Sequence, residues 1–480
     1  MHTYVPQTPS AEAETHHKKM TQTSVVKLVI ELGIPTTISM LITSLYNMVD
    51  TYFVGSAGTS AQGAISVLFT LQSIIQAVAY MLGHGSGTHV SKELADGDVK
   101  AASKYVSSAI FLGSAFGIVF LTFGLIFIAP FMRLLGSTET ILPYAKDYGM
   151  WVLISCPFLI CSLILNNNLR YEGKAFYAMI GLVSGAVINT GLDYLFVIVW
   201  NMNVFGAGLA TAISQVISCV ILFVMYARHA QSKISLKYVT KNVREYLSIF
   251  KNGLPSLIRQ ALNSISSGLL NNLAGIYGAQ IGQADATITA MGIVGKYSNF
   301  VMCVGMGISQ GLQPVASYNY ELKLYKRVQK ALLMTLLMAF CGVAVLSLPA
   351  IIFPQSIVQA FQKDAAVIEI GTSALRYAMI GMLFTPVFIP LNMMLQSIRK
   401  AGIASFLALL RSGLIFIPTL LVTCAVWKVV GIQIAQPLSD VITAVINLPV
   451  LIVFLTKKHE DDLTDVKLNE QNAIATVSEQ

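Results

Sequence analysis

Apolar runs of about 20 residues, each long enough to cross a bilayer, follow one another from residue 25 to residue 456. Inside lipid every backbone N–H and C=O must find its partner within the protein, which leaves helices or closed barrels. A barrel reads as short alternating segments of about ten residues, and none occur here. The charge content agrees: 11% of the 480 residues are charged, against about 25% in a soluble domain. The chain is therefore predicted to be an all-α polytopic membrane protein.

The runs divide into twelve spans. The longest polar connection, residues 230–252, separates six from six. The expected organisation is a flexible cytoplasmic tail (1–24), an N-terminal six-helix lobe (25–229), a cytoplasmic linker (230–252), a C-terminal six-helix lobe (253–456) and a second cytoplasmic tail (457–480). The two halves repeat each other. Gly33-Ile34-Pro35 and Gly55 recur as Gly253-Leu254-Pro255 and Gly275; the stretch Leu165-Asn166 to Lys174-Ala175 recurs as Leu391-Asn392 to Lys400-Ala401. Six-helix repeats of the same sense form pseudo-symmetric bundles around a central cavity, the usual frame for alternating access.

The formal charge of +8 follows topology rather than nucleic acid. Lys and Arg crowd alternate connections, such as Lys92 to Lys104, Arg228 to Lys251 and Lys323 to Lys330, while the intervening ones are poor in them. That alternation places both termini in the cytoplasm. The six cysteines lie inside apolar runs without CxxC spacing, so neither a zinc site nor a disulfide framework is indicated. The polar first two dozen residues lack the apolar core of a signal peptide.

Acids inside the spans are the chemical signal. Asp50 is the one charged residue between Gly33 and Gly55; a carboxylate at mid-membrane costs about 3 kcal/mol on insertion scales, so it marks a function that needs it. Tyr46 and Asn47 lie four and three residues earlier, on the same helical face. In the fifth span Asn189 and Asp193 share a face. Asp50 maps to Leu270 in the repeat and Asp193 to Thr419, so both deep acids belong to the N-terminal half. Two carboxylates in one low-dielectric pocket take up protons as a coupled unit. With Asn189 and a hydroxyl such as Thr211, the same oxygens suit a sodium ion. Lys296 is a candidate for the C-terminal cavity wall. Pro386 and Pro390 are expected to break the tenth helix. Asp440 is a deep acid for which a functional role and packing against Arg411 weigh equally. His84 and His89 read as interfacial, and Arg259, Lys296, Arg376 and Arg411 as scattered.

The pattern Leu45 to Gly55 (LYNMVDTYFVG), then Leu169-Arg170-Tyr171-Glu172-Gly173, then the Asn189–Asp193 pair followed by Gly206 to Thr211, resembles the multidrug and toxic compound extrusion (MATE) family, and within it the prokaryotic DinF-type branch. The resemblance spans residues 25 to 456. It implies that Asp50, Asn189, Asp193 and Thr211 form a proton or sodium site in the N-terminal lobe. It further implies that Tyr46 and Asn166 line the drug cavity, and that Pro35 is where the first helix bends.

The expected function is a proton- or sodium-coupled antiporter exporting cationic amphiphilic drugs from a prokaryotic plasma membrane, working as a monomer among lipids, with no cofactor beyond the coupling ion. One alternative is a flippase for a lipid-linked or amphiphilic substrate. Another is an intramembrane aspartyl protease, disfavoured because Asp50 and Asp193 lack a GxGD context. No Walker A, HExxH or GxSxG occurs in a suitable setting, so no enzyme is expected.

Overall fold

The computed structural model describes residues 11–457 except 56–58 and 136; the side chains of 11–13, 48–55, 59–63, 65 and 66 lie outside that description. Sixteen α-helices are joined by short turns, and no strand occurs among the described residues. They are α1 (Ala11–Gln22), α2 (Val25–Gly55), α3 (Thr59–Ala95), α4 (Val99–Ile126), α5 (Ile128–Leu134), α6 (Leu142–Tyr171), α7 (Ala175–Asp193) and α8 (Asn203–His229), followed by α9 (Val243–Gln280), α10 (Ala284–Glu321), α11 (Tyr325–Ile352), α12 (Pro354–Phe361), α13 (Ala365–Met382), α14 (Thr385–Ser397), α15 (Ala401–Leu409) and α16 (Phe416–Thr456).

Among the described residues, length and hydropathy alone pick out eight crossing helices, or nine with the bent α13–α14 pair as one. With that pair as one crossing, two further features bring the number to twelve. The run Ala401–Thr456 is counted once, yet Lys428 leaves helical geometry inside it (φ 50°, ψ −120°) and folds it into two crossings. Helices α9 and α10 miss the hydropathy threshold because they carry chamber-facing Arg259, Asn263, Asn299 and Gln310. Each is 38 residues long, about 57 Å at 1.5 Å per residue, ample for a core of about 30 Å. The result is two six-helix bundles, α2–α8 and α9–α16. The tenth span breaks as its prolines predict: α13 and α14 meet at 49°, with Pro386 in the first turn of α14 and Pro390 within it.

The repeat visible in sequence has a physical counterpart. Asn166 Nδ2 donates to the Ala178 carbonyl at 2.9 Å, and Asn392 Nδ2 donates to the Ala404 carbonyl at 2.7 Å. Each asparagine staples the fourth helix of its lobe to the fifth.

The bundles meet through α2 against α10 and α3 against α9. Here glycines let main chains touch. A Cβ on Gly311 would stand 2.5 Å from Gly33 Cα, one on Gly307 would stand 2.4 Å from Thr37 Cα, and one on Gly85 would stand 2.1 Å from the Ile249 carbonyl. Small residues allow this close approach, which is how helices associate where no hydrophobic drive exists.

The expectation of a flexible N-terminal tail is corrected over Ala11–Gln22, where the chain forms a docked helix. His16 and Met20 are buried; the His16 imidazole lies 3.0 Å from the Glu172 carbonyl and edge-on to Tyr318. Arg327 donates to the carbonyls of Met20 and Thr23. The expected C-terminal tail lies, beyond Lys457, outside the described residues.

Candidate ion and substrate chamber

Two cavities, of about 170 Å³ in the N-terminal bundle and about 210 Å³ in the C-terminal one, share Met40, Gln76, Tyr80, Asn299, Cys303 and Gln310 as walls and so form one chamber. Hydroxyls of α2 line its N-terminal part. Thr36 and Ser39 bond back to carbonyls one turn earlier, at 2.9 Å each, which spends their donors within the helix and lets a polar face lie against the chamber. Pro35 sits inside α2, which runs through it as one helix although the proline removes one ladder hydrogen bond.

Tyr46, Asn47, Asn166 and Asn189 are in the wall. Asn189 is buried and directs Nδ2 toward Thr211 Oγ1 at 3.5 Å, while its Oδ1 has no hydrogen-bond partner among the described residues. Thr211 is in turn 3.2 Å from the Tyr148 hydroxyl. One helical turn beyond Asn189, Asp193 is fully buried and closes α7 immediately before a π-helical turn, Tyr194–Val199. Such wide turns are rare and collect at functional positions. Asn189 and Thr211 therefore stand together at the chamber wall, and Asp193, one turn farther along α7, is buried and does not face lipid. Asp50 belongs to α2 one turn past Tyr46, but its side chain lies outside the described residues.

The other sequence candidates fare unevenly. Lys296 is corrected: it is exposed and absent from the chamber wall. Asp440 is buried behind the wall and pairs with Arg411 at 3.3 Å, with Gln436 donating to the same oxygen at 3.1 Å. Arg259 and Arg411, which read as scattered in sequence, line the same cavity. His84 and His89 are buried between the lobes. His84 lies 3.3 Å from Gln313, and His89 contacts Asn252 at 2.9 Å while stacking on Tyr105.

Those histidines belong to a seal that closes the chamber at the end of the bundle bearing α1. Arg170 bonds Gln310 and Asn167, Tyr171 meets Ser397 at 3.3 Å, and Ser317 donates to the Thr88 carbonyl. Farther out, Glu321 takes both Arg399 and Lys92. Tyr80, Gln76, Gln310 and Tyr148 are wall or second-rank residues that sequence reasoning missed. The available signal was a polar side chain inside an apolar run, which by itself does not say which face it occupies.

The MatE family model matches residues 35–195 and 255–422, one stretch per bundle, starting at the repeated prolines Pro35 and Pro255. This chain belongs to the MatE family. The MatE chain is 27% identical over 441 residues to the multidrug export protein MepA of Staphylococcus saprophyticus, covering 91% of this chain and 95% of that one. It is 27% identical to MepA of Staphylococcus aureus (strain MRSA252), covering 90% and 94%. Among solved structures, the outward-facing conformation of a multidrug resistance MATE family transporter of the MOP superfamily superposes with a TM-score of 0.85 at 20% identity, over 94% of this chain and 100% of that one. The fold is shared. The MatE protein is accordingly a multi-pass membrane transporter and not an enzyme.

Proposed function

We propose that this MatE protein is a proton- or sodium-coupled antiporter that exports cationic amphiphilic compounds by alternating access. In this reading it resides in a prokaryotic plasma membrane as a monomer, with its termini and the sealed end of the chamber cytoplasmic. The observation that carries the reading is a fully buried carboxylate, Asp193, one helical turn from Asn189, which lines the N-terminal chamber wall and points its amide at Thr211. A membrane-buried acid close to a polar cavity is the arrangement expected of an ion relay.

Asp193 and Asp50 supply the titrating or ion-binding oxygens, and Asn189 and Thr211 complete the set. Tyr46, Asn47 and Asn166 offer aromatic and amide contacts to the drug. Cation entry favours one arrangement of α2 and α7, with Pro35 as the yielding point of α2, and lowers affinity for the drug. Linkage then requires that bound drug weaken cation binding by the same factor. The assignment to the DinF-type branch rests on the same residues.

The test is dye export in proteoliposomes with proton and sodium gradients imposed separately. Asp193→Asn is expected to abolish gradient-driven transport while leaving expression and dye binding in place. Undiminished transport by that variant ends the mechanism.

A flippase reading gains one observation, the convergence of Arg259 and Arg411 on a single cavity.

A further inference from the structure

The C-terminal cavity carries two guanidiniums in its wall and, among the described residues, no carboxylate. They are not equivalent. Arg411 has Asp440 behind it at 3.3 Å and lies over the Phe388 ring, 5.0 Å from its centre. Arg259 finds only neutral partners among the described residues, Asn392 Oδ1 at 3.3 Å and Ser256 Oγ at 3.4 Å, both long for hydrogen bonds to a charged donor. Arg259 is half-buried in the chamber wall; a partly desolvated cation without a counter-charge is costly, and a ligand that supplies the charge recovers that cost. The rest of the wall is what an amphiphile needs around its charged end: Met302, Met306, Met393 and Phe388 for apolar surface, Asn263 and Asn299 for polar contacts. Thioethers adapt to many shapes, so the charge rather than the outline sets the selection.

We propose that Arg259 makes the C-terminal half of the chamber a receptor for an anionic oxyacid group, a carboxylate or a phosphate, carried on an amphiphile. This rests on the transporter reading above and narrows it. The favoured substrates become amphiphiles that carry such an anionic group, zwitterions among them, with that group on Arg259; the described wall of the N-terminal cavity holds Arg170 and no carboxylate. A purely cationic amphiphile leaves the guanidinium unanswered and is the poorer ligand. Guanidinium suits the task because its fixed fork of donors matches both oxygens of a carboxylate or phosphate.

The experiment uses the full chain in nanodiscs and two dyes that differ only in the group at issue: rhodamine 110, which bears a free carboxylate, and rhodamine 123, its methyl ester. Wild-type protein is expected to bind the acid at least tenfold more tightly than the ester. Arg259→Gln removes that preference by weakening the acid tenfold or more and the ester less than twofold, and Arg259→Lys, which keeps the charge but not the fork, retains part of it. Farnesyl phosphate and farnesol as competitors then separate the sources: displacement of rhodamine 110 by the phosphate but not the alcohol identifies a lipid headgroup as an acceptable carrier, and displacement by neither restricts the site to carboxylates. A wild-type protein that binds the ester as tightly as the acid, or an Arg259→Gln variant that moves both dyes equally, overturns the proposal, the first without needing any variant to fold. Absence of gradient-driven rhodamine 110 export by the wild-type protein, with dye discrimination intact, would instead count against ion coupling alone.

Discussion

At Gly97 and Gly173 the main chain turns with φ of 80° and 72°, and at the matching places in the second bundle Lys323 and Arg399 adopt φ of 60° and 61°. The left-handed region costs a residue with a Cβ about 1–2 kcal/mol, and glycine escapes it. Arg399 is compensated by its pair with Glu321, whereas Lys323 is exposed. A Cβ on Gly97 would touch nothing within 4 Å, so only backbone strain is at stake there. Gly97→Ala is expected to lower stability by about 1 kcal/mol, and Lys323→Gly to raise it by a fraction of that, because added unfolded-state freedom offsets part of the relief. Thermal unfolding in detergent reads both; an alanine at 97 that raises the melting temperature would show the turn to be unstrained. Single residues also show where linear reading stops. Asn166 and Asn392 were legible as a repeated pair because each bond is local, twelve residues long. Arg259 and Arg411 sit on helices 152 positions apart in the chain, and no spacing rule brings them to one cavity.

Among the elements, the spans were readable because lipid enforces length and apolarity, and α13–α14 broke where its prolines lie. Helix α1 was not readable, since a polar dozen residues carries no periodic apolar face and its docking depends on distant partners. Its anchor is sensitive to pH. Burial, reinforced by the charge of Lys174, holds the His16 imidazole down at about 4, well under the ordinary value near 6.5. The undocked helix therefore binds the proton more readily than the docked one. The anchoring contribution is complete above about pH 6.5 and drains away as pH falls toward 4. Hydrogen exchange over residues 14–22 is expected to quicken relative to an unstructured control between pH 7 and pH 5, and His16→Gln to flatten that dependence. An equally steep response in the variant would place the sensitivity elsewhere. Nearby, Glu172 is buried and accepts from Tyr226, Ser232 and the Gln231 amide, tying the linker between the bundles to the end of α6. Burial pushes its carboxyl up against those three donors, which favour the ionised form.

For the molecule as a whole, the two bundles are held at the α1 end by a modest number of polar contacts. Interhelical hydrogen bonds in membranes average about 0.6 kcal/mol, so the seal amounts to a few kcal/mol, within the range over which a bound ion or ligand can shift two conformations. Gly85→Val tests how the seal opens. Its side chain would run into the Ile249 main chain, which a rotamer change cannot relieve. In a background with Cys303 as the sole cysteine, labelling of that buried chamber thiol by a membrane-impermeant maleimide from the α1 side is expected to accelerate at least fivefold. An unchanged rate at normal expression would mean that α3 and α9 do not separate when the bundles part.

The touching main chains at Gly33–Gly311 and Gly85–Ile249 carry a consequence for economy of transport. A barrier made of side chains can be breached one rotamer at a time, letting small ions slip by while the cargo stays put. Backbone laid on backbone has no such flap, so an opening at these two places demands that entire helices withdraw together.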